Sequence, residues 1–212
     1  NVLEESSLVA IFTNGNPSAI EDNTLVGVDF NYLNTRLSNG KTIAGSAWYQ
    51  QSDTEGLNGN NSAYGLSFTA PNTEGWSGEI NYRRLEDNFN PALGFVSQTD
   101  VATWFAKTSY IWRPKNSIFR SISTVAKIQR VDKLNGDFDL QVFSADFISL
   151  ENHSGDAGTL FTTMYQEQLS SSFEISDGII IPVGQYKWDR FCVRAGSGQH
   201  RLLRVSGFAC GG

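Results

Sequence analysis

At 212 residues, with no composition shift and no linker-like tract, the chain has room for one large β domain and gives no sign of a second. Its formal net charge of -6, with the basic residues scattered, argues against a nucleic-acid partner, which calls for clustered Lys and Arg. No run approaches the roughly 18 apolar residues of a membrane-crossing helix, and the opening N-V-L-E-E-S-S lacks the basic and apolar regions of a leader peptide.

Helical periodicity is almost absent and extended alternation recurs, so the chain reads as all-β. The first predicted strand covers 7–13 and ends at N-G-N-P, a strong turn signal. The second, 24–34, alternates Val26, Val28, Phe30 and Tyr32 with Gly27, Asp29 and Asn31, which places Asp29 and Asn31 on an interior polar face. A third strand over 41–52 carries Trp48 and Tyr49, and a fourth over 62–70 alternates Tyr64, Leu66 and Phe68 with Gly65, Ser67 and Thr69. The fifth, 76–85, is the cleanest: Trp76, Gly78, Ile80 and Tyr82 fall on one side, and Ser77, Glu79, Asn81 and Arg83 on the other.

A turn-rich loop follows, in which Asn90-Pro91 starts a turn and Gly94 permits positive φ. Phe89, Leu93 and Phe95 supply apolar anchors, so the loop is expected either to fold back as a plug or to tack onto strand ends as a rim loop. Further strands are predicted over 103–113, 118–131, 138–150, 159–169, 185–194 and 200–208, with room for more strand in F-E-I-S-D-G-I-I-I-P-V-G. The strands over 118–131 and 138–150 carry apolar residues on both faces in places, the signature of a register-flipping bulge.

Most of these segments are near the roughly ten residues that a tilted strand needs to cross a bilayer, rather than the 5 to 6 common in soluble proteins. Their connections alternate between shorter and longer, the connection at 132–137 excepted, as in an up-and-down outer-membrane barrel with short turns on one rim and long loops on the other. On that reading Trp48, Trp76, Trp104, Trp112 and Trp188 form aromatic girdles, and Asp29, Asn31, Glu79, Asn81 and Arg83 face the lumen. About eleven strands is an odd count where bacterial barrels close with an even one, so the barrel is expected to be incomplete at one or both ends. The start at Asn1 rather than Met fits a processed product or a fragment.

Chemistry leaves few traces. There is no G-x-S-x-G elbow, and His153 and His200 fall at a loop and a strand start, without a partner pattern for nucleophilic catalysis. His and Cys spacing supports no metal centre, and the oxygen-rich turns Asp87, Asn88, Asn90 and Asp132, Asn135, Asp137 do not fit a twelve-residue calcium loop. Glu79, Asp29 and Asp146 would supply the paired carboxylates of a glycoside hydrolase, but lumenal acids are ordinary in a water-filled barrel. Cys192 and Cys210 fit either one bridge between neighbouring strands in an oxidising compartment or two unpaired thiols. No enzyme activity, cofactor or metal is therefore expected.

The run N-Y-R-R-L-E-D-N-F-N-P-A-L-G-F-V-S-Q-T-D resembles the hallmark of domain of unknown function family 5916 of Gram-negative outer-membrane proteins. Further matches lie at residues 6–14, 24–32 and 181–188; where family members often carry Arg after G-F-V, this chain has Ser97 and Gln98. The resemblance implies an outer-membrane barrel without assigned enzymatic activity, preceded in the family by a module resembling carbohydrate-binding family nine. Its partners would be outer-membrane lipid and a polar ligand such as a glycan, passing or docking at the cell surface. A soluble or surface-attached carbohydrate-binding β domain, with Trp48, Trp104 or Trp188 stacking on sugars, is the alternative.

Overall fold

A computed structural model describes residues 4–17 and 22–212. Thirteen strands and no helix are found among them: β1 (Ser7–Asn14), β2 (Asn23–Asn34), β3 (Ile43–Thr54), β4 (Ser62–Ala70), β5 (Gly75–Leu85), β6 (Val101–Trp112), β7 (Phe119–Lys133), β8 (Phe138–Asn152), β9 (Ala157–Leu169), β10 (Phe173–Ser176), β11 (Ile179–Ile181), β12 (Gly184–Gly196) and β13 (Ser206–Gly211). Eleven form one sheet in the order β1-β2-β3-β4-β5-β6-β7-β8-β9-β12-β13, while β10 and β11 pair as a small ribbon within the F-E-I-S…I-I-I stretch. Each strand of the large sheet neighbours the next in the chain, apart from the excursion into that ribbon, so the antiparallel meander is the architecture. No pairing closes β1 onto β13 among the described residues.

The last strand departs from the sequence reading. Residues 200–205 are turn and coil, and β13 starts only at Ser206. The cause is covalent as well as local: Cys192 and Cys210 are directly opposed in the β12–β13 register and form a disulfide with Cα atoms 4.2 Å apart, fixing which residues can pair.

Contacts divide the chain into two compact units. The first combines the described residues of Asn1–Pro71 with Glu79–Phe105 and Val131–Asp137; the second combines Asn72–Gly78, Ala106–Arg130 and Phe138–Gly212. In the first, β2 pairs with β1 and β3 without a register break, and β3 pairs with β4. Its core is small: Leu25, Ala63, Leu85 and Phe89, with Trp48 and Val96 packed against it. In the second, β9 is flanked by β8 and β12, with a one-residue bulge in β8 between Asp146 and Ile148.

The register sorts side chains by polarity. In the first unit Leu8, Ala10 and Phe12 of β1 share a face with Val26, Val28 and Phe30 of β2, because Leu8 pairs with Phe30, Ala10 with Val28 and Phe12 with Val26. The opposite face of β2 carries Asn23, Asp29 and Asn31, opposed on β3 by Thr54, Trp48 and Ser46. The apolar face is the exposed one: Leu66 is 58% and Ile80 56% exposed, whereas Asn23, Ser52 and Thr54 are buried. In the second unit Leu160, Met164, Phe191 and Val193 form the exposed apolar face, and Thr159, Phe161, Thr163, Arg190 and Arg194 lie on the other.

Candidate functional site

The polar face of the first unit, with the loop over residues 86–100 folded onto it, is the most organised polar assembly in the chain. Asp29 and Asn31 lie two residues apart on one strand, so their side chains point the same way, and the Asn31 amide donates to the Asp29 carboxylate. On β5 the same spacing lets Asn81 Nδ2 donate to Glu79 Oε1 at 2.6 Å. Arg83, next on that side of β5, is exposed. Ser46 and Ser67 share a hydrogen bond of 2.7 Å across β3 and β4. Each carboxylate thus has an amide beside it rather than a second acid. Among the described residues no three His, Cys, Asp or Glu side chains gather as a metal site would require.

The loop is tied down by a buried polar hub. Asn23, 2% exposed, donates from Nδ2 to Thr54 Oγ1 at 2.7 Å and to the Asn90 carbonyl at 2.9 Å. The Asn90 amide in turn donates to Ser52 Oγ at 2.9 Å. Backbone hydrogen bonds from Glu86 to Ser62 and from Asn88 to Asn60 carry the chain away from the end of β5. Phe89 enters the core cluster at 4% exposure, while Pro91 and Val96 are half-buried. Gly94 closes a turn by donating to the Pro91 carbonyl at 2.7 Å, and Leu93 and Phe95 project outward, Phe95 at 88% exposure. Of the three apolar anchors expected, only Phe89 anchors. The reason is positional, since Phe89 and Asn90 sit where the hub can hold them and Leu93 and Phe95 lie beyond the Pro91 turn.

The five tryptophans divide between faces. Trp76 packs against Tyr110 and Trp104 against Tyr82 with their rings tilted, and these two tryptophans with Trp112 are more than half exposed on the apolar side. Trp48 departs from the girdle expectation: it shares the polar side with Asp29 and lies flat over Gly65, where an added Cβ would stand only 2.6 Å from Nε1. Trp188 departs too, directly opposing Tyr165 on the face of Arg190 and Arg194, with the two rings stacked at 5.0 Å.

One polar cluster has no counterpart in the sequence reading. In the turn between β8 and β9, Asp156 Oδ1 accepts from the Gly198 amide at 2.9 Å and from Arg201 Nε at 2.7 Å. Its Oδ2 accepts from Asn152 at 2.9 Å and from Arg201 Nη2. The cluster latches the 197–205 loop to the 153–156 turn. Gly198 permits the approach, since a Cβ there would meet the Ser154 carbonyl oxygen at 2.1 Å. His153 contacts the Ser117 carbonyl at 3.0 Å, and His200 belongs to the loop.

The Arg201 guanidinium, then the Gly198 amide and the Asn152 amide, hold the Asp156 carboxyl well below the usual carboxylate range. A depressed folded-state pKa means that the latch is fully in place above the ordinary Asp value of about 3.9 and is lost as pH falls through the folded value below it. The Gly198 amide chemical shift is therefore expected to titrate with a midpoint below that of a free Asp. In an Arg201→Gln variant the midpoint should move back up, and an unmoved midpoint would show that the guanidinium is not the cause.

No protein-family model matches the chain, and no curated protein or solved structure matches it.

Proposed function

We propose that the chain is a membrane-spanning β-sheet segment of an outer-membrane barrel, of the kind its family resemblance implies, through or at which a polar ligand such as a glycan passes or docks. The observation that carries this reading is the inverted polarity of the sheet. An antiparallel sheet in water hides its apolar face and solvates its polar one; here the apolar face is exposed and the polar face holds the buried hydrogen bonds.

Magnitudes favour lipid over water as the solvent of that face. Full burial of a Leu, Ile, Val or Phe side chain is worth roughly 1.5–3 kcal/mol, so leaving Leu8, Phe12, Val26, Leu66, Phe68 and Ile80 in water would forgo an amount comparable to a typical net stability of about 5–15 kcal/mol. Strands of 12 residues in β2, β3 and β6 also match a tilted crossing of the hydrocarbon core. The Cys192–Cys210 disulfide adds support, because such bridges persist in exported proteins and are reduced in the cytosol.

Single-tryptophan variants reconstituted in vesicles with brominated acyl chains test the reading. Trp76, Trp104 and Trp112 should be quenched strongly, and Trp48 and Trp188 weakly. Equal quenching of all five, or a protein that stays monodisperse in water without detergent, would overturn it.

A further inference from the structure

We propose that the polar face of β9, β12 and β13 is a binding track for a neutral linear oligosaccharide; this rests on the membrane reading and deepens it by naming the ligand and the residues that hold it. The track begins at the stacked pair Tyr165 and Trp188, whose planes lie within 10° of parallel and which leaves Trp188 39% exposed. One step along, Arg190 opposes Thr163. Next come Phe161, opposite Cys192, and Arg194, whose guanidinium stands 5.4 Å from the Phe161 ring centroid. Phe208, opposite Arg194 on β13, is 79% exposed and ends the row. From Trp188 to Arg194 the strand rise covers about 20 Å, the length of a short oligosaccharide.

Large apolar rings on the polar face of a sheet are out of place there unless something rests on them. A sugar ring fits chemically, because its C–H face lies against the electron-rich face of an aromatic ring while its hydroxyls project around the edge. Those hydroxyls are both donors and acceptors, and the face offers both counterparts. Arg190 and Arg194 donate, and neither forms an ion pair among the described residues. Asp146, opposed to Phe161 on β8, and Glu167, two residues beyond Tyr165, accept. The two carboxylates also set the charge of the ligand. Against a uronic-acid chain or a nucleic-acid strand they cancel the attraction of Arg190 and Arg194, so the face holds no net charge to draw an acidic ligand and suits a neutral glycan. The Cys192–Cys210 bridge lies within the track and holds β13, and with it Phe208, in register.

Calorimetric titration of the protein in vesicles, free of sugar-based detergents, with maltotetraose, cellotetraose and tetragalacturonate reads the proposal. One or both neutral tetrasaccharides should bind and the acidic one should bind at least tenfold more weakly. Trp188→Ala should weaken binding tenfold or more, Trp188→Phe should retain most of it, and Arg194→Gln should weaken it severalfold. Trp48→Ala should leave it unchanged. No binding of either neutral probe, tighter binding of tetragalacturonate, or indifference to both Trp188→Ala and Arg194→Gln would overturn the track. Should Trp188→Ala fail to fold, the contrast between Trp188→Phe and Trp188→Leu carries the same test. Quenching of Trp104 by brominated lipid in the same samples separates the two ideas: quenching without sugar binding ends this inference alone, and loss of quenching ends the membrane reading beneath it.

Discussion

Replacing Phe89 with alanine is expected to destabilise the protein by about 3–5 kcal/mol, the usual loss for a large aromatic side chain removed from a packed site. The four-residue cluster of Leu25, Ala63, Leu85 and Phe89 has little else with which to fill the gap, and Phe89 holds the adjacent Asn90 where Asn23 and Ser52 can reach it. Losing the ring should therefore also free the loop. Urea titration in micelles reads the stability, and limited proteolysis within residues 86–100 reads the loop. Phe95→Ala is the internal control: at 88% exposure it should change neither by more than about 0.5 kcal/mol. Equal costs for the two variants would show that the loop is not anchored through Phe89.

Removing the disulfide by Cys192→Ala with Cys210→Ala should cost about 2–4 kcal/mol, as expected when a bridge closing a chain separation of 18 residues no longer restricts the unfolded state. The loss should be local. Among the described residues the strand β13 pairs with β12 alone, whereas β12 is also held along its length by β9, so hydrogen exchange should accelerate at Ser206–Gly211 and leave β9 nearly unchanged. Uniform acceleration across β8, β9 and β12 would instead make the bridge a determinant of the whole second unit. Reduction of the intact protein should reproduce the variant.

Much of the fold was legible because period-two alternation is a local signal. The Trp76 to Arg83 alternation places Ser77, Glu79 and Asn81 on the less exposed side of β5 and leaves Trp76 and Ile80 exposed, as the pattern alone suggests. What escaped is information held in pairing. At Trp48-Tyr49 two adjacent aromatics must face opposite ways, and nothing in either side chain says which. The answer lies in Gly65, which opposes Trp48 and leaves the indole room to lie down. Trp188 has the same ambiguity, resolved by Tyr165 on the neighbouring strand. The Asp156–Arg201 latch joins residues 45 apart in the chain, and the only local hint is a glycine on either side, at Gly155 and Gly198. Likewise, R-L-L-R-V-S-G reads as extended until the cysteine register and the latch together convert 200–205 into a loop.

The bulge in β8 turns out to be a phase correction. Ser144 and Asp146 oppose Thr163 and Phe161 on the polar side, then Phe147 is passed over, and Ile148 opposes Leu160 on the apolar side. Ser149 and Glu151 return to the polar side, where Ser149 reaches Thr159 at 3.0 Å and Glu151 meets Arg120. Written as an uninterrupted strand, the same residues would send Ser149 and Glu151 to the apolar side and Ile148 and Leu150 to the polar one. Deleting Phe147 would thus remove the bulge and leave every downstream side chain on its present surface, whereas straightening the strand with Phe147 in place would exchange a serine and a glutamate for an isoleucine and a leucine on each surface at once.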